Sequence, residues 1–365
     1  MIIKLTSPFK VALPFGSGKN KLNFTLASSG REKIKRHKIA CSFQINGTGI
    51  SPLSPIESQK NETLENINQL SAPTMENWEL INGKPLINAE PPTGRLLKDG
   101  LIFQQNFTVR SSEIGSDFKI SIESLMNYLQ ETSLNHLRSA GILTDGFGST
   151  IEMTEKDLIW VVCWSHMEVD HYPSWADVVQ VDVWKYMSGR KGLRGDWLIR
   201  DFNTGKTLIR ATSLYAMMNK KTRKFANASE EILGGMKPIM LRYCDPLVNR
   251  DSRKLLQLDA DKADYIRSGL NPGWTDMDVN QHVSHIKLVN YMLEGVPTSI
   301  VKSYELCAMT LEYRKECSAD SVLQSVSKFG GNHLINNQEI EFDHSLSVEG
   351  GPEIVRGRTR WRKRV

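Results

Sequence analysis

The sequence predicts an α+β fold that uses one plan twice: a long helix wrapped by a curved antiparallel sheet. Two observations predict it. A helix-period stretch followed by strand-like runs occurs near residues 121–215 and again near 283–363, and the two stretches share local text. "NYLQE" (127–131) returns as "NYMLE" (290–294), "MEVDHYPSWADVVQV" (167–181) as "LEYRKECSADSVLQS" (311–325), and "TLIRATSLY" (207–215) as "EIVRGRTRW" (353–361). Repetition of a supersecondary unit is the mark of an internal duplication. A helix lying in the concave face of a sheet accounts for apolar stripes on both.

The first 60 residues hold ten Lys/Arg against two acids, Glu32 and Glu57, although the whole chain carries only +5. The basic residues are dispersed among Ser and Thr, and no compact apolar core follows the first lysine. Residues 1–55 therefore read as an organellar transit peptide, more plastid-like than secretory; a basic tail for nucleic acid or membrane is the weaker reading. Residues 56–94, polar and Pro-bearing, read as a flexible linker. Residues 95–230 read as the first unit. It opens on the strand-like "LIFQQNFTVRSSEIG" (101–115). A helix follows over 121–142, with Leu125, Leu129, Leu134 and Leu137 near helical spacing, Ser121 and Ser124 as caps, and Gly141 as the stop. "LIWVVCWSHMEV", "DVVQVDVWKYM", "DWLIRDF" and "TLIRATSLYAMM" then read as a meander broken by "HYPSW", "SGRKG" and "NTGK". Residues 231–262 read as an inter-domain linker with some helix.

The second unit, 263–365, repeats the plan. "VSHIKLVNYMLEGVP" (283–297) is helical, with Val283, Ile286, Val289 and Leu293 on one stripe. Four strand-like runs follow: "LCAMTLEYRKE", "DSVLQSVSKF", "QEIEFDHSLSV" and "PEIVRGRTRWRK". No run of ~18 apolar residues occurs, so no integral membrane helix is expected. The five cysteines, Cys41, Cys163, Cys244, Cys307 and Cys317, are odd in number and form no CxxC pair. That argues against a disulfide framework and a structural zinc site, and for a reducing compartment. No metal or cofactor is expected.

The two units differ at two places remote in sequence. "DMDVNQH" (276–282) crowds polar groups against the second helix, and the first unit shows nothing like it. Cys317 in "RKECSA" stands where the first unit has Pro173 in "DHYPSW". A helix start and the second strand after it can converge, which would gather Asn280, His282 and Cys317. Thiol, imidazole and asparagine are the groups of papain-like acyl hydrolysis. Helix N–H groups after Asn280 are then expected to hold an oxyanion. Asp276 and Asp278 sit where helix-capping acids are favourable, and Glu316 adjoins Cys317. His282 and His285 with Asp278 would make at most an incomplete metal shell. The cluster alone leaves both catalysis and elaborate capping open.

"RSGLNPGWTDMDVNQHV", "LEYRKECSADSVLQS", "EIVRGRTRWR" and, earlier, "YPSWADVVQVDVW" and "DWLIRDFNTG" closely resemble plant acyl-acyl-carrier-protein thioesterases, nearer the FatB type. The resemblance spans about residues 95–362. It implies a tandem double hotdog fold, a plastid stroma location, and hydrolysis of an acyl-carrier-protein thioester to a free fatty acid. It places the catalytic Asn and His on Asn280 and His282, the proposed catalytic cysteine on Cys317, and the acidic residues on Asp278 and Glu316. It leaves open whether the cysteine attacks or a carboxylate–histidine pair activates water. The chain departs from the family wording at Ser284, His285, Leu288, Asn290 and Tyr291, at Gly273, and at Gly195 of "RGDW", where the family has arginine. The alternatives are a thioesterase preferring coenzyme A thioesters and a non-hydrolytic acyl-binding hotdog protein. The expected partner is the acidic acyl carrier protein, steered by "KKTRK" (220–224), "GRKGLR" (189–194) or "RGRTRWRKR" (356–364). A homodimer is possible; no nucleic acid is expected.

Overall fold

The computed structural model describes residues 80–81, 84–85, 94–143, 148–188, 192–245, 247–248, 253–330 and 339–364. The targeting segment expected over 1–55, and most of the linker expected over 56–94, lie outside the described residues. A small hairpin pairs β1 (Leu80–Ile81) with β2 (Lys84–Pro85).

The first half contains β3 (Arg95–Leu97), β4 (Ile102–Thr108), α1 (Ile122–Ser139), the short α2 (Ile151–Glu155), β5 (Leu158–Val169), β6 (Val178–Ser188), β7 (Gly192–Asp201), β8 (Thr207–Asn219) and β9 (Phe225–Ala226). Ser121 caps α1 by accepting the Ser124 N–H at 3.1 Å, and Gly141 follows its end at φ +70°. Then come α3 (Glu230–Met236) and β10 (Met240–Leu241). The second half contains β11 (Tyr265–Leu270), α4 (His285–Leu293), α5 (Thr298–Ser303), β12 (Tyr304–Tyr313), β13 (Leu323–Phe329), β14 (Glu339–Val348) and β15 (Glu353–Lys363).

The halves share one sheet, ordered β11-β13-β14-β15-β12-β5-β8-β7-β6-β4-β3. Its seam is the antiparallel pair β12–β5, in register from Ala308↔Glu168 to Glu312↔Trp164. Alternation along the strands sends Val179, Val181 and Val183 of β6, and Leu306 and Met309 of β12, into one apolar cluster with Leu125 and Leu129 of α1 and Ile286, Val289 and Met292 of α4. The sheet approaches α4 closely at Gly357, where a Cβ would stand 2.8 Å from Met292 Sδ. Only glycine permits that approach.

Three details differ from the sequence reading. The second helix begins at His285, capped by Ser284, two residues later than expected. The stretch 265–270 is an edge strand, β11, paired with β13. Residues 253–255 are held on β14 and β15: Arg253 pairs with Glu341 at 2.8 Å, and the Lys254 and Leu255 carbonyls accept from Arg358 and Arg356 at 3.3 and 3.4 Å.

Candidate active site

The polar stretch before α4 is a loop with its own backbone scaffold, not a helix cap. A 3-10 turn, Trp274–Asp276, leads into a bridge between Met277 and Val283, with Gln281 at φ +62° at the tip. The Asp276 carboxylate accepts from Gly273 N–H at 2.8 Å and Tyr291 O–H at 2.7 Å. Burial works against its ionisation, but these donors and the Lys287 charge outweigh it and hold the carboxyl below the usual range. The Asp278 carboxylate accepts from the N–H groups of Asn280 at 2.8 Å and His282 at 3.2 Å. Asp276 and Asp278 therefore build the loop; the helix cap is Ser284.

Val283 N–H donates to the Cys317 carbonyl at 3.0 Å, which docks the loop on the segment after β12. This brings His282 Nε2 within 3.4 Å of Glu316 Oε2. The other Glu316 oxygen pairs with Arg223, which crosses over from the turn after β8. Burial pushes the His282 pKa down, with Arg223 adding to it; Asp278 and the Asn280 carbonyl partly offset this. His282 is thus held as neutral imidazole, the form that accepts a proton.

A cavity of about 540 Å³ has Asp278, Asn280, His282 and Glu316 on its wall. It runs beneath α1 along Glu123, Met126, Gln130, Ser133 and Leu137, a stripe at helical spacing. From Glu123 to Leu137 is fourteen steps along the helix, about 21 Å at ~1.5 Å per residue. Trp160, Val162, Leu193, Trp197 and Tyr215 of the sheet close the other side. The chamber is long and mostly apolar; Asp278, Asn280, His282 and Glu316 gather at one end, and the buried Lys185 lies on its wall as well.

Four of the five residues expected from sequence meet at that end. Cys317 does not join them: its side chain is absent from the cavity wall and is 5% exposed within the apolar cluster. Burial pushes its thiol up to about 11, so roughly one thiol in ten thousand is thiolate at pH 7. The expected helix N–H oxyanion donors at 282–284 are also consumed, by Asp278, Cys317 and Asp276. The Asn280 side-chain amide makes no hydrogen bond among the described residues and remains able to donate. His285 packs edge-on against Tyr313 and is pushed down to about 4 by burial. Among the described residues no group of three or more potential metal-ligating side chains forms.

Residues 100–236 match the family model described as the acyl-ACP thioesterase N-terminal domain, and residues 259–363 match its C-terminal domain. The chain belongs to the acyl-ACP thioesterase family. Within that family it is 49% identical over 291 residues to the chloroplastic palmitoyl-acyl carrier protein thioesterase of Arabidopsis thaliana, covering 78% of this chain and 70% of that protein. It is 44% identical over 362 residues to the Gossypium hirsutum protein of the same name, covering 92% and 87%. The solved 12:0-ACP thioesterase of Umbellularia californica matches with a TM-score of 0.67 and 44% identity, over 72% of this chain and 95% of that one. The antiparallel sheet and its helices are the tandem hotdog architecture of these acyl-ACP thioesterases.

The duplication makes this acyl-ACP thioesterase its own control. The first half contains the same loop backbone, 163 residues earlier, in a wording that hid it: "SSEIGSDFKIS" (111–121) against "WTDMDVNQHVS" (274–284). Gly115 N–H donates to Lys119 O at 2.8 Å as Asp278 N–H does to His282 O at 2.8 Å, and Ile120 N–H to Pro173 O as Val283 N–H to Cys317 O. Phe118 takes φ +61° where Gln281 takes +62°. Tyr128 O–H donates to Glu113 as Tyr291 O–H does to Asp276. What the first half lacks is the chemistry: Gly115, Asp117 and Lys119 stand for Asp278, Asn280 and His282. Lys119 pairs with Glu305 at 2.7 Å and Asp117 with Arg364 at 2.7 Å. The first loop ties the halves together, and the second faces the cavity.

Proposed function

We propose that this chain hydrolyses the thioester of an acyl-acyl carrier protein in the plastid and releases the free fatty acid. The relatives' names support the substrate and compartment, and one observation supports the chemistry: the cavity beneath α1 ends at His282, Glu316, Asn280 and Asp278 but not at Cys317. In this reading the acyl chain lies along α1 and its thioester carbonyl sits at the polar end. His282, neutral and beside Glu316, takes a proton from a water molecule as its oxygen attacks the carbonyl carbon. Glu316 stabilises the imidazolium that results, as a carboxylate beside a catalytic histidine does. The Asn280 amide donates to the oxyanion, and Asp278 holds the Asn280 and His282 backbone in register. When the C–S bond breaks, the sulfur leaves as the carrier's thiol, taking the proton from His282.

Thiol release from an acyl-carrier-protein thioester by the full chain tests this. His282→Ala is expected to cost about 10²- to 10⁴-fold in rate, whereas Cys317→Ala keeps most of it. Loss of hydrolysis in Cys317→Ala would establish the covalent route instead. Tight acyl binding with no thiol release by the unsubstituted chain would leave a non-hydrolytic acyl-binding protein.

A further inference from the structure

The three basic stretches of the sequence have different fates in the fold. "RGRTRWRKR" forms β15, and its arginines are spent inside the molecule. Arg356 pairs with Glu353 at 2.5 Å, Arg358 with Asp343 at 2.9 Å, Arg360 with Glu339 at 3.2 Å and Arg362 with Glu305 at 2.6 Å. In "GRKGLR", Arg194 pairs with the fully buried Asp196 at 2.9 Å, and residues 189–191 lie outside the described residues. The turn carrying "KKTRK" differs. Its backbone is pinned by Arg223 N–H on Asn219 O at 2.9 Å and by the Thr222 N–H on Asn219 Oδ1 at 2.8 Å, with Arg223 at φ +56°. Lys220 and Lys224 are exposed and form no ion pair among the described residues. Between them, Arg223 reaches Glu316 on the cavity wall. Lys315, exposed and likewise without an ion pair among the described residues, lines the same opening with Val279, which is 61% exposed.

We infer that the turn 219–224 is the docking surface for the acyl carrier protein, with Lys220, Lys224 and Lys315 as the cations that meet its acidic face. This rests on the acyl-carrier reading above and locates the partner on the molecule. The geometry carries it in two ways. These lysines are tied to the site: Lys315 lines the cavity, and Arg223, between Lys220 and Lys224 in the turn, reaches Glu316 beside His282, so a carrier held there presents its acyl group to the cavity. They also differ from the arginines of β15 in having no internal carboxylate to satisfy them, so their charge is available to a partner. Long-range attraction of this kind raises encounter rates and weakens with salt. Arg223 belongs to the turn but is committed to Glu316, so one ion pair ties the dock to the catalytic carboxylate.

The test compares two substrates with one acyl group, carried either on acyl carrier protein or on pantetheine alone. The double variant Lys220→Glu/Lys224→Glu is expected to raise KM for the carrier-bound thioester about tenfold at low salt. It should flatten the salt dependence of that KM and leave hydrolysis of the pantetheine thioester unchanged. An unchanged KM for the carrier-bound thioester overturns the dock, and so does an equal loss on both substrates, which would report damage to the fold. An unsubstituted chain that hydrolyses neither thioester overturns the acyl-carrier reading and the dock with it. One that hydrolyses the pantetheine thioester but gains nothing from the carrier overturns the dock alone.

Discussion

Arg223 and Glu316 come from different halves of the chain, and both stand beside His282. The Glu316 carboxylate bridges the Arg223 guanidinium and the His282 imidazole. The His282 pKa is depressed, first by burial and then by Arg223. A base works only when unprotonated, so the acid limb of the rate profile reports this pKa in the free enzyme. The limb is expected below pH ~6.5, the ordinary histidine value. Removing the cation in Arg223→Ala should move it upward and lower kcat, because Glu316 loses its anchor as well. An acid limb that sits above the ordinary value, or that stays put in Arg223→Ala, would remove Arg223 from this role. Sequence exposed the Asn280–His282 motif because its polar density is unusual before an apolar helix. It hid Arg223, since the contact spans 93 positions and nothing local in "KKTRK" marks one basic residue from the next.

At the level of elements, α1 runs along the cavity and α4, half its length, follows the polar loop. Both helices and the four long strands of the first meander were legible, because periods of 3.6 and 2 are written in their apolar residues. The loop before α1 was not, because its likeness to the loop before α4 resides in backbone angles and two acid–tyrosine hydrogen bonds rather than in wording. The chamber's width was illegible for a related reason: it depends on how far Trp197 lies over Gly195 across β7. A Cβ at Gly195 would stand 2.7 Å from Trp197 Cη2. Gly195→Arg, which restores the residue expected at this position from the family wording, must therefore shift the Trp197 ring and reshape the cavity wall that both residues line. Overpacking of this kind costs about 1–3 kcal/mol. The free fatty acids made by a bacterium expressing the variant should shift to shorter chains than with the unsubstituted protein; an identical profile would show that this wall does not measure the chain.

Across the whole molecule, the duplicated core buries three histidines whose pKa burial lowers. His344 sits between Ser327 Oγ at 2.8 Å and Thr359 Oγ1 at 2.6 Å, and burial lowers its pKa to about 3. His136, accepting burial beneath Gly100 and beside Lys185, is lowered to about 3, and His285 to about 4. An unfolded histidine binds its proton near pH ~6.5. Between that value and about pH 4 the unfolded chain holds more protons than the folded one, so stability is complete above the window and is lost as pH falls through it. Tm should accordingly decline between pH 6.5 and 4. A flat Tm across that range would mean that these side chains find protons without unfolding.

The β5–β12 seam also sets an order in time. Its partners, such as Ala308 and Glu168, lie 140 positions apart, so the central pairing of the sheet closes only after most of the chain has been made or threaded into its compartment. Until then β5 presents an open edge of main-chain donors and acceptors, the kind of edge on which chains self-associate. The first half thus cannot finish its own sheet. The last sixty residues end the period in which the nascent protein is most exposed to aggregation.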